Sequence, residues 1–137
     1  MAGKEGRTQT CGRSEARTRL AHARKFLEVA ELVAGEEQID ESASCAAALA
    51  VLAGIAAADA ACCAVLGRRS RGQDHKQAAD LVEQIAPKGK EAAKALRELL
   101  DVKDTAQYGL VHVTRPRLTA AIRRARYLVE FAAAVTR

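Results

Sequence analysis

Apolar positions in this chain recur at the three- and four-residue spacing of amphipathic helices, and almost nowhere in the alternation of a half-buried strand. Leu20, Ala23, Phe26, Leu27, Ala30, Val33 and Ala34 fall on one half of a helical circumference, with Arg17, Arg24, Lys25, Glu28 and Glu31 opposite. Ser14 is placed to cap this first helix and Gly35 to stop it. The polar stretch 35–38 reads as a loop. Asp40 or Ser42 then caps a second helix that ends at Gly67, and Arg68 to Gln73 reads as a basic turn. Asp74 and Gln77 fit a capping box for a third helix, which carries Ala78, Leu81, Val82 and Ile85 inward until Pro87. A fourth helix, from about Lys90 into the region of Thr105, turns Ala92, Ala95, Leu96, Leu99 and Leu100 inward. Thr114 with Pro116 opens the last helix, whose Leu118, Ala121, Ile122, Ala125, Leu128, Val129 and Ala132 share one arc. The expected architecture is all-α, an up-and-down bundle of four or five helices. It occupies residues 14–137 behind a flexible basic tail, residues 1–13.

Composition supports that class. Alanine makes up roughly a fifth of the residues, a strong helix former. Aromatic residues are 3% of the chain, with two Tyr, two Phe and no Trp, so the core must be aliphatic. The scarcity of β-branched runs argues against a nucleotide carried on a parallel sheet. The segment from Ala43 to Leu66 holds one charge, Asp59, and is long enough to cross a bilayer. Its alanines contribute little to insertion, and a central Asp costs about 2.5–3.5 kcal/mol there, so a buried bundle helix and no membrane contact are expected.

The net charge of +5 conceals opposed blocks. Residues 1–25 carry about +5, residues 26–66 about −7 with no Lys or Arg, residues 67–76 about +3 and residues 115–137 about +5. If the fold gathers the basic blocks on one side, they form a footprint for a polyanion; otherwise they neutralise the acidic block. Cys11, Cys45, Cys62 and Cys63 lack the spacing of a disulfide framework or a zinc site, so reduced thiols, a cytoplasmic protein, and neither metal nor cofactor are expected. With Lys4, Arg7 and Arg13 and no apolar run behind them, the N-terminal residues are not expected to act as a signal peptide.

Two clusters could carry chemistry. Arg68, Arg69 and Arg71 precede His75 at a helix start, a set suited to phosphate, with a solvated basic turn as the plainer alternative. Lys103 and Tyr108 end the fourth helix, where the phenol could present its hydroxyl at the bundle mouth or merely anchor the chain. Arg124, Tyr127 and Phe131 lie side by side on the last helix as a small stacking surface or a dimer contact.

This helix order, together with Lys103-Asp104-Thr105-Ala106-Gln107-Tyr108-Gly109 and the Leu118-x2-Ala121-x3-Ala125-x2-Leu128-Val129-x-Phe131 helix, resembles the HEPN superfamily, above all its small stand-alone bacterial members. The resemblance covers about residues 15–135. It implies a dimeric bundle in a superfamily associated with RNA cleavage, nucleotide binding and toxin–antitoxin pairs with minimal nucleotidyltransferases. Catalytic members carry Arg-x(4–6)-His near the start of the last main helix; here Lys103 stands for the Arg and Tyr108 for the His. Arg69 and His75 have that spacing one helix too early. The expectation is a domain without strong catalysis that binds a nucleotide, RNA or a protein partner through Arg68, Arg69, Arg71, His75, Lys103 and Tyr108. Its alternatives are a metal-independent ribonuclease toxin using Arg69 and His75, and a purely structural interaction module.

Overall fold

A helix that is apolar on every side has to sit in the middle of whatever packs around it. That requirement organises the computed structural model, which describes residues 7–36, 40–71 and 75–136. Among the described residues the elements are β1 (Thr8–Thr10), α1 (Arg13–Ala34), α2 (Asp40–Leu66), β2 (Arg68–Ser70), α3 (His75–Glu83), α4 (Gly89–Tyr108) and α5 (Arg115–Val135). The central helix is α2, which packs against α1, α3, α4 and α5. It is long and apolar enough to span a membrane, but 67% of its apolar window is buried within the bundle, the burial of a core helix.

The other long helices turn the expected arcs toward α2. Leu20, Ala23, Leu27 and Ala30 of α1, Ala92, Ala95, Leu96 and Leu99 of α4, and the whole α5 arc from Leu118 to Ala132 are buried. Each large aliphatic side chain among them contributes roughly 1.5–3 kcal/mol by leaving water. Alanine on α2 brings its neighbours close. A Cβ at Gly54, midway along α2, would lie 2.5 Å from Leu99 Cδ1 and 3.2 Å from Leu128 Cδ1, so α4 and α5 close on bare backbone there.

The helix ends differ in detail from expectation. Gly12, not Ser14, is the N-cap of α1, and its N–H donates to Glu15 Oε1 at 2.7 Å. Thr114 caps α5 as expected, its hydroxyl accepting from the Arg117 N–H. Arg115 donates to Ala34 O at 2.8 Å and Glu36 O at 2.9 Å, so α5 supplies partners for carbonyls at the end of α1. The capping role expected of Asp74 falls outside the described residues.

The larger departures lie at the ends of the expected tail and turn. Thr8–Thr10 pairs antiparallel with Arg68–Ser70. Gly67, at φ 72°, turns the chain out of α2 into β2 in a left-handed conformation that glycine adopts without strain. Cys11, which follows β1, is bonded to Cys63 near the end of α2. The expectation of four reduced thiols is therefore corrected: Cys45 and Cys62 are free, and Cys11 and Cys63 are a disulfide. Neighbours on a helix point about 100° apart, so Cys62 can face the core while Cys63 meets the strand.

Gly54→Val is expected to lower the free energy of unfolding by about 1–3 kcal/mol through overpacking. Adding Leu99→Ala should restore part of the loss in urea denaturation. Strictly additive losses in the double variant would show that the two positions do not share this packing.

Candidate functional site

The one charge inside the apolar run of α2 must find partners or leave the core. Asp59 is 5% exposed. Its Oδ2 accepts from Arg19 Nε at 3.0 Å, pairs with Arg19 Nη2 at 2.9 Å, and receives Arg69 Nη1 at 3.4 Å. Arg19 comes from α1 and Arg69 from β2, so this carboxylate ties three elements together. Burial pushes its carboxyl above the ordinary 3.8, against the opposing pull of Arg19, Arg69 and His75.

Arg69 is held from a second side. Its Nη2 donates to Gln9 Oε1 at 3.0 Å, and Gln9 is its partner across the β1–β2 ladder. The backbone pairing continues past the strands: Arg71 N–H donates to Arg7 O at 2.8 Å, and Cys11 N–H to Gly67 O at 3.0 Å. In this register Arg7 stands opposite Arg71. With side chains alternating between faces, Arg7, Gln9, Arg69 and Arg71 fall on one side of the ribbon and Arg68 and Ser70 on the other. Arg7, Arg68 and Arg71 are exposed, whereas Ser70 is buried, its hydroxyl donating to Gln77 Oε1 at 3.0 Å. Beside the ribbon, Gln9, Thr10, Cys11, Ser14, Thr18, Arg19 and Arg69, with the Glu15 carboxylate, line a hollow of about 210 Å³.

Of the residues expected to form the site, Arg68, Arg69 and Arg71 are carried together by β2 and the residue after it, and His75 opens α3 close enough to act on Asp59 by its charge. Tyr108 is elsewhere. It ends α4 fully at the surface, where Thr105, Ala106 and Gly109 share a hollow of about 380 Å³ with Glu41, Ser44 and Cys45 from the start of α2. The fifteen residues from Ser44 to Asp59 rise about 22 Å, so Tyr108 closes no groove over the arginines. Lys103 is half-buried next to Asp104, which lines a third hollow with Lys76, Asp80, Arg97, Leu100 and Asp101. That hollow carries three carboxylates against two cations, and Arg97 within it is paired with Asp80 at 2.9 Å and Glu83 at 2.8 Å.

The basic blocks do not all gather. In α5, Arg124 pairs with Glu98 at 3.1 Å and Arg126 pairs with Glu31, while Tyr127 and Phe131 pack partly buried against the core. Two arginines of the last helix thus neutralise acidic residues inside the fold, Arg117 and Arg123 stay exposed on it, and Arg7, Arg68 and Arg71 are the exposed arginines gathered at the ribbon. Arg7, Arg19 and Gln9 were not among the expected site residues. The signal that could have pointed to Arg19 is Asp59 itself, a charge in an apolar helix that requires a cation.

Arg19→Ala is expected to cost about 3 kcal/mol or more, because it leaves the buried carboxylate short of its principal partner. Asp59 also gives stability a pH dependence. Its native pKa is raised, so its contribution is complete below 3.8 and is lost as pH rises through the native value. The stability of the wild type relative to Asp59→Asn should accordingly decline with rising pH from 3.8 upward in urea titrations; a difference independent of pH would contradict the burial argument. In comparisons with known proteins, no family model matches this chain and no curated protein is significantly similar to it.

Proposed function

We propose that the protein is a non-catalytic RNA-binding domain that holds phosphates on the arginine face of the β1–β2 ribbon. The observation that carries this reading is the juxtaposition of Arg7 and Arg71. Like charges directly opposite each other on a ladder are unfavourable. Here both residues are exposed and stand beside Arg69, on the same face. A phosphodiester backbone bridging the two guanidinium groups turns that repulsion into attraction, and arginine's planar fork suits phosphate oxygens. Asp59 and Gln9 fix Arg69 and with it the strand that presents Arg71. Arg68, exposed on the ribbon's other side, and His75, at the start of α3, flank the face.

The wider reading belongs to the same proposal. It comprises a HEPN-like frame, a cytoplasmic setting, a homodimer and a role in a toxin–antitoxin type system beside a nucleotidyltransferase. Its support is the helix order and the Lys103–Gly109 segment. The exposed Tyr108, Leu110 and Val111 are apolar surface that a dimer would cover. The ribonuclease alternative asks Arg69 and His75 to converge on a scissile phosphate, but the Arg69 guanidinium is engaged by Asp59 and Gln9.

The test is the salt dependence of binding to a single-stranded RNA oligonucleotide. Arg7→Ala/Arg71→Ala should weaken binding and reduce the slope of log affinity against log salt by about 1.4, or about 0.7 for each phosphate no longer neutralised. Because both residues are exposed, thermal stability should stay near that of the wild type. Binding that ignores salt, or a slope the double variant leaves unchanged, would reject the proposal.

A further inference from the structure

The arginine face exists only while β1 lies against β2, held there by a short ladder, the Arg69–Gln9 hydrogen bond and one covalent bond. The three residues of β1 are all exposed and contribute no apolar side chain to the core. A two-stranded ribbon of this length is marginal in water, and the opposition of Arg7 to Arg71 weakens it further. Cys11, immediately after β1, is bonded to Cys63. Cys63 lies four residues beyond Asp59, one helical turn away on the same side of α2. The disulfide therefore fastens the end of β1 beside the carboxylate that holds Arg69.

We propose that the Cys11–Cys63 disulfide is a redox latch on the RNA-binding face: closed, it holds Arg7 opposite Arg71; opened by a dithiol reductant, it releases β1 and disperses the face. This inference rests on the RNA-binding reading for its consequence, but not for the movement of β1.

The two sulfurs differ in access. Cys63 is 2% exposed, whereas Cys11 is half-buried and lines the 210 Å³ hollow with Arg19 and Arg69. A thiolate of the reductant entering that hollow, whose walls carry the Arg19 and Arg69 guanidinium groups and the Glu15 carboxylate, attacks Cys11 Sγ. The Cys11–Cys63 bond breaks, and Cys63 leaves as a thiolate and takes up a proton. The second thiol of the reductant then displaces Cys11, which is protonated in turn. The reductant ends as a disulfide, having given two electrons and two protons to the protein. Cys62, next in sequence to Cys63, does not compete for the bond. Burial, with a further push from Asp59 and against the pull of Arg68, raises its thiol to about 12, so it stays protonated in the core. In a cytosolic setting, disulfides are characteristically transient and redox-sensing, in keeping with a latch that opens.

The experiment uses the whole chain in three forms: air-oxidised, treated with dithiothreitol, and as the Cys11→Ser variant, with Cys45→Ser as a control for the exposed free thiol. Thiol counting on the unfolded, air-oxidised protein should find two free thiols; four would overturn the proposal. Hydrogen exchange read on the amides of Cys11 and Arg71 should be slow in the oxidised and Cys45→Ser proteins and fast in the reduced and Cys11→Ser proteins, while α4 and α5 remain protected. Unchanged protection on reduction would overturn the latch. RNA affinity should fall about tenfold on reduction, the scale of giving up one preordered charge-assisted hydrogen bond. Release of β1 with no RNA binding in any form would uphold the latch and reject the RNA reading. Release with RNA affinity unchanged would overturn the latch's control of binding.

Discussion

Placing a carboxylate inside a helix made largely of alanine imposes a demand that propagates outward. Asp59 cannot be hydrated where it lies, and the helix that carries it has no polar face with which to answer it. The answer has to come from other elements, and it comes from two. Arg19 reaches in from α1, and Arg69 from a strand that exists because the chain reverses at Gly67. The same interaction that satisfies a core charge therefore decides where the residues after α2 run. The ribbon, the hollow beside it and the arrangement of exposed arginines are consequences of where one negative charge was buried.

Small side chains set the second constraint. Because α2 offers mostly methyl groups and, at Gly54, none at all, the surrounding helices approach it closely and supply the bulk of the core themselves. Leu96, Leu99 and Leu128 converge on it at Gly54 from α4 and α5. The central element is smooth, and the specificity of packing lies with its neighbours, in contrast to bundles where every helix contributes large side chains.

Helix faces were legible in the sequence because burial in a helix is periodic. The arcs of α1, α4 and α5 could be read from spacing alone, and Gly35, Thr114 and Pro116 marked ends through local backbone chemistry. The ribbon could not be seen in this way. Thr8, Gln9 and Thr10 have no apolar alternation, and their pairing with Arg68–Ser70 joins residues about sixty apart in sequence. The bond between Cys11 and Cys63 was hidden for the same reason, since adjacent cysteines in an apolar run look like core thiols whatever lies across from them. The expected site was legible in part. Arg68, Arg69 and Arg71 were visible as a local cluster. Whether Tyr108 could join them depended on the length and direction of α2, which keeps it at the far end of the bundle.

Joining Cys11 to Cys63 also changes the topology of the chain as a polymer. The bond encloses α1, its loop and most of α2 in a covalent ring spanning 52 residues of separation, while α3, α4 and α5 hang from it as a linear branch. Even when all noncovalent structure has melted, the oxidised molecule is a loop with a tail and not a random string. On the chain-entropy account, a ring of that size removes disorder worth about 4 kcal/mol from the unfolded ensemble. The mating of α1 with α2, on which Arg19 and Asp59 depend, is then an encounter within a closed circuit.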